Sequence, residues 1–213
     1  MKIKDKYTKI LDYFANHMPD AKTELNYKSP YELIVAVILS AQCTDKRVNI
    51  ITPPFFKQFP TLETLAETDI NLIYEHIKTC SYPNNKAKSL LGMAKKVCKD
   101  YGGNIPNSIE ELQKLPGVGR KTANVVGSVV FNIPAIAVDT HVFRVSNRIG
   151  LTKKATTPLE TEKQLNKYIP KEQWSIAHHW LILHGRYVCK AQKPDCKNCG
   201  ISDFCDYYKN PNT

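Results

Sequence analysis

The sequence predicts an all-α protein, and three observations support this fold class. Apolar residues recur at intervals of three and four along most of the chain, which is the spacing of one face of an α-helix. No stretch alternates convincingly between apolar and polar residues, as a half-buried β-strand would. A turn that contains Pro116, Gly117 and Gly119 separates two helical patterns, which indicates a helix-hairpin-helix.

The helical segments can be placed along the chain from their apolar residues. In the first half they are about 5–17, Pro30 to about Ser40, two short patterns within 61–78, and about 86–100. The second of these is apolar almost all round, which predicts a buried central position. Thr52, Pro53 and Pro54 together predict a turn. A later helix at 174–187 carries three histidines without a suitably spaced further ligand, so we expect them in the core: His178, His179 and His184.

The helix-hairpin-helix has recognisable boundaries. Ser108 is a typical N-cap residue and Glu111 lies three residues later, so the pair predicts a capping box for a short helix. Pro116 ends that helix, and Gly117 and Gly119 allow a tight hairpin with positive φ. Because these glycines have no side chains, backbone N–H groups at the start of the second helix can close on a phosphate.

The charge of the chain restricts its possible partners. The 213 residues carry a formal net charge of +10, and the sequence pI is near 9.2. Such a surplus suits a polyanion, because neutralising phosphates releases counterions, although a basic and unspecialised surface would have the same charge. No apolar run approaches the ~18 residues of a membrane span, and the N-terminus lacks a signal-peptide pattern. We therefore expect a cytoplasmic protein that works at the nucleoid and has no membrane partner.

Four of the seven cysteines lie close together near the C-terminus. Their spacing is Cys-x6-Cys-x2-Cys-x5-Cys, and they are Cys189, Cys196, Cys199 and Cys205. In a reducing compartment this indicates metal ligation rather than disulfides. The number of thiolates leaves two candidates open, a tetrahedral zinc ion and a [4Fe-4S] cluster. A single Cys-x2-Cys pair favours the cluster, since zinc ribbons usually contain two such pairs.

The run Leu-Pro-Gly-Val-Gly-Arg-Lys-Thr-Ala at 115–123, followed by Asp139, resembles the endonuclease III family of helix-hairpin-helix DNA glycosylases. The resemblance extends from about Thr23 to Cys205 and includes the cysteine spacing of the family's iron-sulfur loop. It implies a bifunctional DNA glycosylase and AP lyase of base excision repair. Such an enzyme removes oxidised pyrimidines from duplex DNA and nicks the strand 3′ to the abasic site by β-elimination. It also implies that the four cysteines hold a [4Fe-4S] cluster.

The resemblance further implies the division of the chain and its partners. The family has two helical lobes, which here would be 23–133, with the helix-hairpin-helix at about 108–130, and 1–22 plus 134–213, with the iron-sulfur cluster loop at 189–205. The expected partner is double-stranded DNA that contains a damaged base or an abasic site. We expect a monomer, because a wedge and a hairpin address one damaged site asymmetrically.

Lys121 and Asp139 are the candidate catalytic residues. An amine in the first turn of a helix feels the positive end of the helix dipole, which disfavours the ammonium form and favours nucleophilic attack. Taken alone, Lys121 could instead be a phosphate-binding lysine, and Asp139 the N-cap of a helix that starts near Thr140. The resemblance implies that Lys121 attacks C1′ of a flipped nucleotide and forms a Schiff base. It implies that Asp139 assists deprotonation and stabilises positive charge on the sugar.

Further residues are candidate DNA contacts. Gln42 either caps backbone groups at the end of the buried helix or fills the space left by a flipped nucleotide, as the matching Gln of the family implies. Tyr82 stands where the family has an intercalating aliphatic wedge, and it could also pack as a surface aromatic. Lys86 is either a phosphate contact or part of a solvated helix face. The remaining candidates are Gly117, Val118, Gly119, Arg120 and Thr122 of the hairpin, and His141 and Arg144 of the helix that follows Asp139.

Two other function classes compete with the repair enzyme. The first is a non-catalytic DNA-binding module that uses the hairpin only to grip phosphate, and the second is an electron-transfer iron-sulfur protein. Neither accounts for Lys121 and Asp139 together. Related adenine glycosylases lack the lysine and carry a glutamate before the Gln42 region, whereas 37–42 contains no carboxylate here. A lyase-competent enzyme is therefore the predicted function.

Overall fold

The computed structural model describes residues 1–210, and its regular structure is helical. The α-helices are α1 Ile3–His17, α2 Pro30–Ser40, α3 Asp45–Gln58, α4 Leu62–Ala66, α5 Ile70–Ile77, α6 Pro83–Tyr101, α7 Ile109–Leu112, α8 Arg120–Phe131, α9 Thr140–Ile149, α10 Pro158–Tyr168, α11 Trp174–Tyr187 and α12 Asp206–Lys209. Short 3-10 turns lie at Lys171–Gln173 and Ser202–Phe204. The described residues contain no β-strand, which confirms the all-α class. None of these helices has the length and apolar composition that crossing a membrane requires.

The chain divides into two compact units. One unit is Glu24–Ile133, which contains α2 to α8. The other combines Met1–Thr23 with Pro134–Thr213, and contains α1 and α9 to α12.

Helix α2 forms the centre of the unit 24–133, as its composition predicts. Ser29 caps it by accepting a hydrogen bond from the N–H of Glu32, and Pro30 occupies the first turn, where its missing N–H is tolerated. Eight of the eleven residues of α2 are buried. Helices α3, α6 and α8 pack against it, so little of its surface meets water.

Helix α3 differs from the sequence prediction. It continues through Thr52, Pro53 and Pro54, where the sequence predicts a turn. Proline inside a helix removes a hydrogen bond and crowds the preceding turn, which costs about 3 kcal/mol. The helix persists because its buried face, which includes Ile51 and Phe55, packs into the unit and offsets that cost.

The core of the other unit joins α1 to the C-terminal helices. Tyr7 donates a 2.8 Å hydrogen bond to the carbonyl oxygen of Leu151. The Phe14 ring stacks on Trp180 with a centroid distance of 6.1 Å, and Trp180 Nε1 donates to the carbonyl oxygen of Met18 at 2.8 Å. These contacts order the first helix against residues more than a hundred positions later.

Helix α11 supplies buried histidines and a close helix contact. Its histidines at 178, 179 and 184 are buried, which confirms the core prediction. Burial lowers the pKa of both His179 and His184 to about 4, so these rings are neutral at pH 7. A Cβ atom at Gly185 would lie 3.0 Å from His141 Cβ, so this glycine allows α11 to approach α9 closely.

Candidate active site

The first helix of the hairpin motif is shorter than predicted and only partly capped as predicted. Ser108 Oγ accepts a hydrogen bond of 3.2 Å from the N–H of Glu111, which starts α7. The Glu111 carboxylate does not complete a capping box with Ser108. It accepts hydrogen bonds from the Tyr101 hydroxyl at 2.7 Å and from Lys114 at 2.5 Å instead. Glu111 therefore ties α7 to the end of α6.

The two hairpin glycines have different roles. Gly117 has φ of +77°, as predicted, and a Cβ atom there would lie 2.6 Å from Ser89 Cβ, so both conformation and space require glycine. At Gly119 the prediction of positive φ is wrong: φ is −83° and ψ is 177°, which any residue can adopt. Gly119 is the N-cap of α8, and a Cβ atom there would meet nothing within 4 Å.

The start of α8 presents the candidate nucleophile. The first backbone bond of the helix runs from the N–H of Ala123 to the carbonyl oxygen of Gly119 at 2.9 Å. The N–H groups of Lys121 and Thr122 precede that bond and face out of the helix end, where the dipole is positive. Lys121 is exposed, as are Gly117, Gly119 and Arg120, whereas Thr122 is half-buried.

Val118 does not fit its predicted role as a DNA contact. Its N–H donates a 3.1 Å hydrogen bond to the carbonyl oxygen of Leu115, which closes the turn. Its side chain is buried. Val118 therefore holds the hairpin in shape, because its donor is already used inside the turn.

Asp139 is fixed at the beginning of α9. Its Oδ1 accepts a 2.8 Å hydrogen bond from the N–H of Val142, which confirms the predicted N-cap. The buried apolar segment 135–138 leads directly into it. A carboxylate held by such a cap has a defined position while part of it remains open to solvent.

Gln42 and Tyr82 lie on neighbouring loops of the unit 24–133. The Ser81 hydroxyl donates a 2.6 Å hydrogen bond to the carbonyl oxygen of Gln42. Gln42 and Tyr82 both adopt the left-handed backbone region, with φ of 54° and 55°. This region is uncommon for residues other than glycine. Gln42 is exposed, and the Tyr82 side chain is 62% exposed at the N-cap of α6. The structure therefore brings these two predicted residues to one part of the surface.

Lys86 is a correction to the predicted phosphate contact. It is only 6% exposed, and its Nζ donates hydrogen bonds of 2.8 Å to the carbonyl oxygens of Leu39 and Ala41. Burial lowers the pKa of the Lys86 ammonium. The side chain caps the last turn of α2, whose carbonyl groups have no helical partner. Lys86 therefore supports the backbone that leads into Gln42.

Arg144 is a second correction, because its guanidinium is engaged within the protein. Nη2 donates to the carbonyl oxygens of Gly185 at 2.9 Å and Cys189 at 3.1 Å. It also lies 3.2 Å from Nδ1 of His141, which is half-buried. Both predicted DNA contacts on α9 thus lie beside the start of the cysteine loop.

Arg148 binds the start of the cysteine loop, a position that the sequence does not predict. Nη1 donates to the carbonyl oxygen of Lys190 at 2.7 Å and lies 3.7 Å from Cys189 Sγ, and Nη2 donates to the carbonyl oxygen of Ala191 at 2.9 Å. Its spacing of one helical turn from Arg144 was visible in the sequence. Its partners are backbone carbonyls more than forty residues away, for which the sequence has no signal.

The four cysteines of the C-terminal loop surround one cavity. The lining of this cavity includes Cys189, Cys196, Cys199 and Cys205 together with His184 and Tyr207. Cys205 Sγ donates to the carbonyl oxygen of Arg148 at 3.5 Å, and His184 Nε2 lies 3.7 Å from Cys199 Sγ. Burial raises the pKa of the Cys199 and Cys205 thiols. Such thiols need a cation to be stable as thiolates.

Comparison with known proteins places this chain among repair enzymes. A family model described as HhH-GPD superfamily base excision DNA repair protein matches residues 35–171. Endonuclease III of Rickettsia felis is 47% identical over 203 residues, which are 95% of this chain and 95% of the relative. Endonuclease III of Bacillus subtilis is 48% identical over 195 residues, 92% of this chain and 89% of the relative. The chain belongs to the endonuclease III family.

A solved structure supports the same family. It is that of a trapped endonuclease III–DNA covalent intermediate in an estranged-adenine complex, with a TM-score of 0.95 and 44% sequence identity over 99% of each chain. Membership in the endonuclease III family confirms the predicted enzyme class, a DNA glycosylase and AP lyase of base excision repair.

Proposed function

We propose that the chain removes oxidised pyrimidines from duplex DNA and cuts the strand 3′ to the resulting abasic site, with Lys121 as the nucleophile. One observation carries this proposal. An exposed lysine lies in the first turn of α8, directly after a glycine hairpin, in a family member whose 44% identical relative has been trapped as a covalent DNA intermediate.

The reaction follows from amine chemistry at a sugar carbon. Neutral Lys121 attacks C1′, the bond from C1′ to the damaged base breaks, and the base leaves with the bonding electrons. The sugar ring then opens as the amine becomes a Schiff base. Removal of a proton from C2′ expels the 3′ phosphate by β-elimination, which cuts the strand. Hydrolysis of the imine returns Lys121 to its starting state.

Asp139 supplies the carboxylate for this chemistry. It assists deprotonation of the lysine ammonium, and during base loss it stabilises the positive charge that develops on the sugar. Its hydrogen bond to the Val142 N–H supports this role, because a capped carboxylate needs little reorganisation when charge appears.

The unit 24–133 carries further groups that suit damaged duplex DNA. The N–H groups at the start of α8 bind a backbone phosphate. Gln42 fills the space of the flipped nucleotide and Tyr82 is the intercalating wedge, which its 62% exposure supports. The formal net charge of +10 strengthens binding at low salt. With chromosomal DNA as its substrate, the protein works at the nucleoid.

Borohydride trapping tests the nucleophile. Wild-type protein and an oxidised-pyrimidine duplex should give a covalent band, because borohydride reduces the Schiff base. Lys121→Ala should give none. Lys95→Ala removes an exposed positive charge on α6 and should trap as well as the wild type. If Lys121→Ala traps normally, another amine forms the Schiff base and Lys121 is not the nucleophile. If the wild type traps neither an oxidised-base nor an abasic duplex, Lys121 is a phosphate contact and the non-catalytic binding module becomes the better explanation.

We also propose a [4Fe-4S] cluster as the cofactor, held by Cys189, Cys196, Cys199 and Cys205. One feature of the structure supports the fit. All four thiols line one cavity, and thiolates are the ligands that iron-sulfur clusters take. When bound, the cluster would supply bonds that order the 189–205 loop. Arg148, whose Nη1 lies 3.7 Å from Cys189 Sγ, would offset the negative charge of the thiolates.

Iron and sulfide analysis tests the cofactor. Purified protein should contain four iron and four sulfide per chain, which is the composition of the proposed cluster. Cys199→Ser should lower both, whereas Cys98→Ser, a thiol outside the loop, should not change them. Stoichiometric zinc without sulfide would overturn the proposal.

We propose that the protein acts as a monomer. Light scattering without DNA should give the mass of one chain, 24.2 kDa. Twice that mass would reject this proposal.

A further inference from the structure

Two cysteines outside the 189–205 loop lie against each other. Cys43 belongs to the loop 41–44, called here the Gln42 loop, and Cys80 belongs to the loop 78–82, called here the Tyr82 loop. Their Sγ atoms are 3.9 Å apart, and both thiols are free. The proposed repair chemistry uses neither of them.

We propose that Cys43 and Cys80 form a reversible disulfide, a redox modification site that links the Gln42 loop to the Tyr82 loop. A disulfide is about 2.05 Å long, so the two sulfur atoms must approach each other by about 2 Å. The partners are preassembled for this step. The Cys43 N–H donates to the carbonyl oxygen of Ser40 at 3.0 Å and the Cys80 N–H to that of Ile77 at 2.8 Å, so each backbone is held by its own turn.

The two loops are also joined to each other in the reduced protein. The Ser81 hydroxyl donates to the carbonyl oxygen of Gln42 at 2.6 Å. Lys86, which lies three residues after Pro83 in helix α6, donates to the carbonyl oxygen of Ala41 at 2.8 Å. The thiols therefore meet in a fixed frame, and little conformational entropy is lost when they are cross-linked.

The environment of the two thiols determines which of them reacts first with an oxidant. Cys43 is half-buried and can meet a small oxidant, whereas Cys80 is 5% exposed. Burial, together with the neighbouring Cys43, raises the pKa of Cys80 to about 11, so Cys80 is protonated at neutral pH. Cys43 is therefore the attacking group and Cys80 the resolving group.

The oxidant is a small-molecule disulfide such as glutathione disulfide. The Cys43 thiolate attacks one sulfur of it, the S–S bond of the oxidant breaks, and one glutathione leaves as a thiolate that takes up a proton. Cys80 then loses its proton and attacks the Cys43 sulfur, which releases the second glutathione. The two cysteines lose two electrons and two protons, and one glutathione disulfide becomes two glutathione molecules.

The cross-link should weaken binding of damaged DNA, and this part of the inference rests on the proposed function. Gln42 and Tyr82 flank the two cysteines, and both keep a left-handed backbone that surrounding contacts must hold. Binding sites need their contact groups placed within about 0.5 Å. The two sulfur atoms must approach by about 2 Å, and the part of this movement that side-chain rotation does not take up shifts the loops on which Gln42 and Tyr82 lie. We expect the KM for an abasic duplex to rise several-fold in the oxidised protein.

Peptide mapping tests the cross-link without reference to activity. Cluster-loaded wild-type protein is incubated with glutathione disulfide, digested without reductant, and analysed by mass spectrometry, with iron content measured before and after. We expect one peptide pair joined through Cys43 and Cys80, the same pair in Cys98→Ser, and none in Cys80→Ser. Absence of the pair from the wild type, or glutathione that remains on Cys43 without exchange, would overturn the proposal.

Nicking kinetics test the consequence. The KM for the abasic duplex should rise on oxidation of the wild type and return with dithiothreitol, while that of Cys80→Ser should stay constant under both treatments. A linked protein with an unchanged KM would reject the regulatory role. If the reduced wild type does not nick at all, the proposed function fails, whereas the peptide map still decides whether the disulfide forms.

Discussion

Lys86 donates a 2.8 Å hydrogen bond to the carbonyl oxygen of Ala41, the residue immediately before Gln42. The same ammonium donates to the carbonyl oxygen of Leu39. A lysine of α6 thus closes the end of α2 and determines where the Gln42 loop begins. Its ammonium is therefore used inside the protein, next to the backbone of Gln42.

Replacement of Lys86 should reveal this role in stability. Lys86→Met leaves two carbonyl groups without their donor, and we expect the free energy of unfolding to fall by about 2 kcal/mol, as for other buried bonds to a charged group. Urea denaturation of the cluster-loaded protein measures this free energy of unfolding. Lys88→Met, at an exposed position of the same helix, should change stability little. Equal effects of the two substitutions would contradict the capping role.

The two hairpin glycines should respond differently to substitution. Gly117→Ala combines a left-handed backbone with a Cβ atom 2.6 Å from Ser89 Cβ, so we expect at least about 1 kcal/mol of destabilisation. Gly119→Ser places a good N-cap residue on an extended backbone with open space, and should keep or slightly raise stability. Thermal unfolding of both variants compares them. A larger loss for Gly119→Ser would show that the hairpin differs from this structure.

Asp139 combines a structural and a chemical role, and two substitutions separate them. Asp139→Asn keeps a side-chain oxygen for the Val142 N–H, so stability should be preserved, while loss of the carboxylate should slow single-turnover base excision by about 100-fold or more. Asp139→Ala should lose the same activity and also about 1 kcal/mol of stability. A fully active Asp139→Asn would leave Asp139 with the capping role alone.

The buried His179 should make stability depend on pH. Burial and the nearby Arg186 lower its pKa to about 4, so below about pH 6.5 the unfolded chain binds a proton that the folded protein does not. Stability should therefore decrease as pH falls from about 6.5 towards 4, by up to about 2 kcal/mol between pH 7 and pH 5 from this residue. His179→Gln should flatten that dependence in urea titrations, and an unchanged dependence in this variant would contradict the role of His179.

Local signals in the sequence were sufficient for much of the fold. The bounds of α2 agree with the prediction because Ser29 and Pro30 mark its start and a continuous apolar run fills it. The turn at Gly117 and the cap at Asp139 are local features of the same kind. The four cysteines that line one cavity are close together in the chain, so their spacing in the sequence predicts that they are neighbours in the structure.

The errors at Lys86, Arg144 and Glu111 concern side chains whose partners lie elsewhere in the chain. Lys86 and Arg144 are long cations in basic helices, where a solvent or phosphate contact is the natural expectation. Each instead donates to backbone carbonyls about forty residues away, which no local pattern reveals. The Glu111 carboxylate likewise accepts a hydrogen bond from the Tyr101 hydroxyl, and not from the N–H of Ser108 at the start of its own helix. The prolines of α3 are tolerated through tertiary packing, which propensity does not include.

Asp139 is the N-cap of helix α9, and Arg148 lies near the C-terminal end of the same helix. Arg148 binds the cysteine loop by donating hydrogen bonds to the carbonyl oxygens of Lys190 and Ala191. A ten-residue helix is a stiff rod about 15 Å long, so the carboxylate and the cysteine loop are attached to one rigid element. A [4Fe-4S] cluster of the kind proposed above would order the loop, and the same helix would carry part of that order to Asp139.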